Sequence, residues 1–282
     1  MAVGIKLKKE LESIKGIGKI TNAMQLVAMA KLKKSSGLIL NSKNYFTEVY
    51  KVFNDIIQSA ERSKYQAQNN FEPKKTAWLI INSSIGLCGA YNININKLVS
   101  KDIKEHDLVI PVGQKAVKKY KKFTHLTSLE NVPHDFNYTM ASSISLQLLE
   151  AYNDNKIDCI KVAYTKFINN ATFEPTVLQL LPIVKLPKAK NQNPSSAVME
   201  FEPSAEEVLT NTVPMYLNSL VLSTILESQV SEHASRRMAM DNATKNADDL
   251  TEKLSLEYNR KRQAAITQEI SEIIAGSSGQ DK

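Results

Sequence analysis

Apolar residues recur every three or four positions at both ends of this chain and gather into short runs in its middle. Between Pro214 and Gly276 there is neither Gly nor Pro, a run of 61 residues rich in helix formers, which predicts one long helix. Within it Met240, Ala243, Ala247, Leu250 and Leu254 fall at alternating spacings of three and four. Ile266, Ile270 and Ile273 resume a stripe after the polar stretch YNRKRQ (258–263). That is the 3.5-residue period of a coiled-coil seam, with alanines small enough for a partner helix to approach closely. At the other end no Pro precedes Pro73, and Leu7, Leu11, Ile14, Ile20, Met24, Val27 and Leu32 lie on a comparable face. Gly16, Gly18 and Gly37 each cost about 1 kcal/mol relative to Ala in a helix interior. The pattern still predicts one helix, with Gly16 the place where it would bend.

Magnitudes then decide the expected shape. About 60 helical residues at 1.5 Å each span roughly 90 Å, whereas a compact body of this length has a radius of gyration of about 19 Å. Helices that long project from a globule, and two of them are most economically paired antiparallel with their apolar seams together.

The middle predicts a separate α/β domain. TAWLIIN (76–82) reads as a strand, followed by the turn SSIGLCGAYN and a helical NININKLVSKDIKE. DLVIPVG (107–113) reads as a second strand leading into a basic helix from Gln114 to Phe123, and Thr139 to Tyr152 suits another helix. IDCIKVAYTKF and FEPTVLQLLPIV suit strands flanking the Asn169–Asn170 turn, and PKAKNQNPSSAVME, within 186–200, suits a polar return loop. Strands alternating with helices imply a mostly parallel, Rossmann-like sheet. The expected fold class is therefore α/β plus a long antiparallel coiled coil, divided as 1–64, 65–202 and 203–282.

Charge is distributed unevenly: residues 1–64 carry 12 basic and 5 acidic groups, while 203–282 carry 8 and 12. Opposite signs at the two ends favour packing side by side, within the reach that a Debye length of about 8 Å leaves. A 43% apolar content excludes a disordered chain, and the nine Gly and nine Pro exclude collagenous architecture. The two cysteines, Cys88 and Cys159, lack the spacing of a disulfide framework or a zinc site. No apolar run spans a bilayer, and the start MAVGIKLKKELESIKG has charges where a signal peptide has its apolar core, so a soluble chain is expected. Five Arg among 36 basic residues, with many Asn and Ile, fit an AT-rich genome.

Candidate chemistry is sparse. Gly86 and Gly89 give GxxG without the dinucleotide fingerprint or an acid for a ribose, and GIGKIT (16–21) lacks the full Walker spacing and a preceding strand. His106, His125, His134 and His233 share no ligand spacing, and Cys88 reads as a turn-packing residue. No catalytic residue, cofactor site or metal site is assigned to the chain. KAVKKYKK (115–122) reads as a solvated helix face more readily than as a nucleic-acid contact. YNRKRQ interrupts the apolar seam and is open to two readings, an exposed helix surface or a partner contact.

Three blocks carry a resemblance: ITNAMQLVAMAKLKK (20–34), INSSIGLCGAYN (81–92) and SEHASRRMAMDNATKNADDLTEKLSLEYNRKRQAAITQEISEIIAG (231–276). In content and order they resemble the γ subunit of F-type ATP synthases, the central-stalk rotor, over nearly the whole chain. The resemblance implies two long terminal helices in an antiparallel coiled coil bearing a Rossmann-like foot. It also implies a non-catalytic subunit of a rotary ATPase, turning in the bore of a hexamer of three α and three β subunits that hold the ATP and Mg. Arg262 and Gln263 match positions that engage a β-subunit loop. Arg236, Lys31, Lys33 and Lys34 match basic positions facing the acidic lever of the β subunit, with Met24 beside them. The turn at Cys88 matches the place where the foot approaches that lever. Residues near 201–214 match the base, which in the family meets an ε subunit and the membrane ring. The implied location is peripheral, on the cytoplasmic face of a bacterial membrane.

The chain departs from the family pattern where Ser84 and Ile85 replace an acid and a base, at Gly16, Ile17 and Gly18, and at Asn22 and Gln25, where Lys is common. The missing charges leave two further readings: a rotor in a specialised F1-like ATPase driving another load such as motility machinery, and a coiled-coil scaffold or nucleic-acid adaptor.

Overall fold

A computed structural model describes residues 2–59, 64–67, 71–133, 136–183, 201–202 and 204–278. His134 and the loop expected within 186–200 lie outside them. Two compact units emerge, one of Met1–Met29 with Arg236–Lys282, the other of Ala30–Ser235. Two long helices run through both: α1 (Ala2–Ser59) and α5 (Ala205–Ser278). Gly16, Gly18 and Gly37 all lie within an unbroken α1.

Helix α5 starts earlier than the composition predicts and passes through Pro214. A proline inside a helix costs about 3 kcal/mol, and two features offset it. Ser204 Oγ accepts from the Glu207 N–H (3.2 Å), capping a first turn that also carries Glu206. Leu209, Val213, Leu217 and Val221, on the face around the proline, are fully buried in the core of the sheet unit. Burial of four such side chains contributes several kcal/mol at about 1.5–3 kcal/mol each.

In the sheet unit, β1 (Thr76–Ile81), α2 (Tyr91–Val99), β2 (Leu108–Val112), α3 (Gln114–Lys119), β3 (Thr124–His125), α4 (Tyr138–Asn153), β4 (Cys159–Phe167) and β5 (Phe173–Leu181) follow in order. The sheet order is β3-β2-β1-β4-β5, parallel except for the antiparallel β4–β5 hairpin. This is the mostly parallel, Rossmann-like arrangement expected; the two-residue β3 is too short to leave a sequence signal. Alternation divides the strands between two cores. Ala77, Leu79 and Ile81 face α4, the end of α1 and the start of α5, while Trp78 and Ile80 face α2 and α3. Phe53 of α1 stacks on Tyr216 of α5 with centroids 3.9 Å apart.

In the helix unit, α1 and α5 run antiparallel. A Cβ on Gly18 would meet Ala247 Cβ at 3.4 Å, Thr21 Oγ1 bonds Thr244 Oγ1 at 2.8 Å, and Gln25 Nε2 donates to Asp241 Oδ1 at 2.9 Å. Rising numbers on one helix meet falling numbers on the other, which is the expected antiparallel pair.

Candidate partner interface

The helix pair offers two kinds of surface, and the seam decides which residues lie on which. Leu7, Leu11, Ile14, Gly18, Thr21, Gln25, Ala28 and Leu32 are the inward positions of α1, spaced alternately four and three apart and all buried or half-buried. On α5 the inward set is Met240, Thr244, Ala247, Thr251, Leu254 and Tyr258. The structure therefore corrects the expected seam at several positions. Ile20 and Val27 are 61% and 56% exposed, and Leu250 is 48% exposed, their inward places taken by polar or small residues. Hydrophobicity alone misleads here because glycine, threonine and glutamine satisfy a tight seam through close approach and cross-helix hydrogen bonds.

Ile20 and Val27, with Ile17, instead form an outward apolar stripe on α1, with Met24 half-buried at its edge. Gln25, read from the sequence as an absent partner-facing charge, is turned inward onto Asp241. Near the far end of α5 Arg262 and Gln263 are both exposed. Arg262 lines an open cleft with Ile5 and Lys8 of α1 and Tyr258, Lys261 and Ile266 of α5. Lys261 is tied to Glu257 at 2.7 Å. Ile266, Ile270 and Ile273 are 48%, 51% and 71% exposed, so that stripe covers no seam among the described residues.

Asp241 fixes the polar rung. A hydrogen bond from Lys245, followed by that lysine's charge, Gln25 and the Arg237 charge, holds its carboxyl below the ordinary carboxylate range. A carboxylate with a lower pKa in the folded state contributes stability that is complete above its unfolded pKa and disappears as pH falls through the folded value. Heat unfolding followed from about pH 6 down to about pH 2 is expected to show this acid loss in the native chain and a shallower one in Asp241→Asn.

The remaining candidates lie in the sheet unit, except Arg236, which opens the α5 segment of the helix unit and is only 8% exposed. Lys33 and Lys34 are exposed and Lys31 half-buried, on either side of Leu32, which packs with Val230 and Ala234. Cys88 is buried at 2% exposure, and what its turn presents outward is Ile85 at 63% and Leu87 at 60%. Asn92 Nδ2 donates to both Ser83 Oγ (2.7 Å) and Cys88 Sγ (3.2 Å), bracing the turn from inside. The structure thus brings Cys88 together with Ser83, Asn92 and Ser235, whose hydroxyl donates to the Cys88 carbonyl at 2.7 Å. Neither Ser83 nor Ser235 carried a sequence signal.

The other sequence motifs occupy structural positions. GIGKIT is helical throughout. The lysines of KAVKKYKK are exposed around buried Ala116 and Tyr120, and burial pushes the Tyr120 phenol up to about 12. Burial likewise pushes the Cys159 thiol up to about 12, leaving it a packing group. No cluster of three His, Cys, Asp or Glu side chains able to hold a metal occurs among the described residues.

An antiparallel pair of long helices joined to a Rossmann-like sheet is a fold found in the central stalk of ATP synthases. A chain of the Euglena gracilis mitochondrial ATP synthase, solved as an OSCP/F1/c-ring assembly, matches with a TM-score of 0.71 at 17% identity, covering 99% of this chain and 95% of that one. A chain of the Tetrahymena thermophila central stalk and c-ring matches with a TM-score of 0.60 at 22% identity, covering 79% and 99%. A family model described as ATP synthase matches residues 5–279. The ATP synthase gamma chain of Mycoplasma capricolum is 48% identical over 274 residues, covering 96% of this chain and 97% of the relative. That of Lachnoclostridium phytofermentans is 36% identical over 285 residues, covering 96% and 97%. The chain belongs to the ATP synthase gamma-chain family.

Proposed function

We propose that this chain is the central-stalk rotor of a bacterial F1-type ATPase, passing torque between a hexamer of α and β subunits, which hold the ATP and Mg, and a proton ring at the membrane. The observation that carries the reading is a match to ATP synthase gamma chains over nearly the whole chain, at 48% identity. The outward apolar stripe of Ile17, Ile20 and Val27 supports it, because exposed apolar side chains on a helix pair suit a bearing surface in a surrounding sleeve. Gamma chains of ATP synthase among the relatives favour the proton ring over a specialised load and over a scaffold. No helix among the described residues is long and apolar enough to cross a membrane, which fits a peripheral position on its cytoplasmic face.

The mechanism is differential contact. A shaft that presents a different face to each β subunit biases each toward a different conformation, so rotation and nucleotide state are coupled through unequal affinities. Arg262 and Gln263 are placed at the β-subunit loop, where a planar guanidinium gives direction-dependent hydrogen bonds. Lys31, Lys33 and Lys34 face the acidic lever of the β subunit, with Met24 and the Cys88 turn beside it, while Arg236, largely buried, offers it little surface. The base near residues 201–214 meets an ε-like subunit and the ring.

Purification of the tagged chain tests the assignment: nucleotide-binding α- and β-like subunits are expected with it, and its recovery alone or with nucleic acid would reject it. Within that complex Arg262→Ala and Gln263→Ala are each expected to lower ATPase rate and torque, a charged hydrogen bond being worth about 1.5–3 kcal/mol. Unchanged turnover and torque in both would remove their assigned role.

A further inference from the structure

The sheet order reverses beside β1, which continues through α2 to β2 on one side while β4 lies on the other. In open α/β sheets the crevice beyond the carboxyl ends of the strands at such a point is where ligands sit. Here it is lined by Asn82, Ser83 and Thr165, 1%, 0% and 2% exposed. Helix α5 fills it with Ser228, Ser231 and Ser235, which recur at i, i+3 and i+7 on one face and are all buried.

These serines complete backbone groups that the sheet and the Cys88 turn leave open. β1 pairs with β4 only as far as Ala163, and the Thr165 N–H and carbonyl lie beyond that pairing. The Thr165 N–H donates to Ser228 Oγ (3.2 Å), and Ser231 Oγ donates to the Thr165 carbonyl (3.0 Å). Ser235 Oγ donates to the Cys88 carbonyl (2.7 Å), and the Tyr91 hydroxyl donates to the Ser228 carbonyl (3.1 Å). Burial first, then the nearby Glu232 charge, pushes the Tyr91 phenol well above its ordinary range, so it stays a donor.

We propose that Ser228, Ser231 and Ser235 are torsional keys that lock α5 in rotation to the sheet unit by occupying the crevice in which sheets of this class bind ligands. The inference rests on the rotor reading and adds the residues through which torque leaves the shaft. The hydrophobic driving force is non-directional and by itself does not oppose a small turn of a helix about its own axis; interlocking of the buried side chains opposes it only coarsely. A hydrogen bond does resist it: at roughly 4 Å from the axis, a turn of about 30° displaces an oxygen by about 2 Å, beyond what the bond tolerates. Three such bonds on one face make the angular position of α5 specific.

The test uses the assembled complex with a bead attached through Lys101→Cys on the exposed surface of the sheet unit, native Cys88 and Cys159 being buried. In the triple variant Ser228→Ala, Ser231→Ala, Ser235→Ala, ATP hydrolysis is expected to stay within about twofold while bead torque falls at least about threefold. Val230→Ala, a purely apolar deletion at a fully buried site between Ser228 and Ser231, is expected to keep the torque. Undiminished torque in the triple variant, or an equal loss in Val230→Ala, overturns the proposal. If the triple variant fails to assemble, Ser231→Ala and Ser235→Ala alone are each expected to lose part of the torque, and full torque in both overturns it. A native complex that hydrolyses ATP with a motionless bead would instead reject the rotor reading itself.

Discussion

Gly113→Ala is expected to destabilise the sheet unit by about 3–5 kcal/mol and to lower its melting temperature by about 10 °C. Gly113 ends β2 and caps α3 with φ 90° and ψ 141°, a conformation open essentially to glycine alone. A Cβ there would overlap the Asn82 carbonyl oxygen and lie 2.8 and 2.9 Å from the carbonyl carbons of Asn82 and Ser83. Those neighbours are backbone, and they cannot rotate aside. Gly113 cannot retreat either, because its N–H donates to Leu129 (2.7 Å) while its carbonyl accepts from Ala116 (2.9 Å) and Val117 (3.1 Å). Thermal unfolding by circular dichroism measures the effect, and a melting temperature within a degree or two of native would contradict it.

Ala247→Leu is expected to splay the helix pair at a cost of about 3 kcal/mol, combining overpacking with the loss of neighbouring cross-helix bonds. Ala247 is buried opposite Gly18, where only the absence of a side chain lets the helices approach. Adding three carbons there forces apart the Thr21–Thr244 and Gln25–Asp241 bonds one and two turns away. Ala243→Leu, at a half-buried position off the seam, adds less. Yield of the assembled complex and the unfolding of the isolated chain report on the pair; normal values for Ala247→Leu would mean that the seam is not tight.

Both sites show what a sequence discloses. The length of the helices was legible because 61 residues without Gly or Pro leave few alternatives, and the strands because apolar runs such as TAWLII are bounded by turn residues. The antiparallel pairing followed from length and charge. The seam register was only half legible: Leu7, Met240 and Ala247 sit inward, while Thr21, Ala28 and Thr251 take the places of the more hydrophobic Ile20, Val27 and Leu250. A stripe chosen by hydrophobicity selects what a partner subunit can cover as readily as what the helix itself buries. Pro214 misled in a different way, since tertiary burial of Leu209, Val213 and Leu217 outweighs the local cost of proline. The serines of α5 were invisible because a serine bonded across 60-odd residues, as Ser231 is to Thr165, leaves no periodic trace.

The rotor assignment proposed above requires that the sheet unit turn relative to a surrounding ring of subunits when ATP is supplied. The most direct measurement fixes the α and β subunits of the purified complex to glass, attaches a bead to the sheet unit and supplies ATP. Sustained rotation in one direction that stops when ATP is removed is expected. ATP hydrolysis at a normal rate with a stationary or randomly fluctuating bead would contradict it.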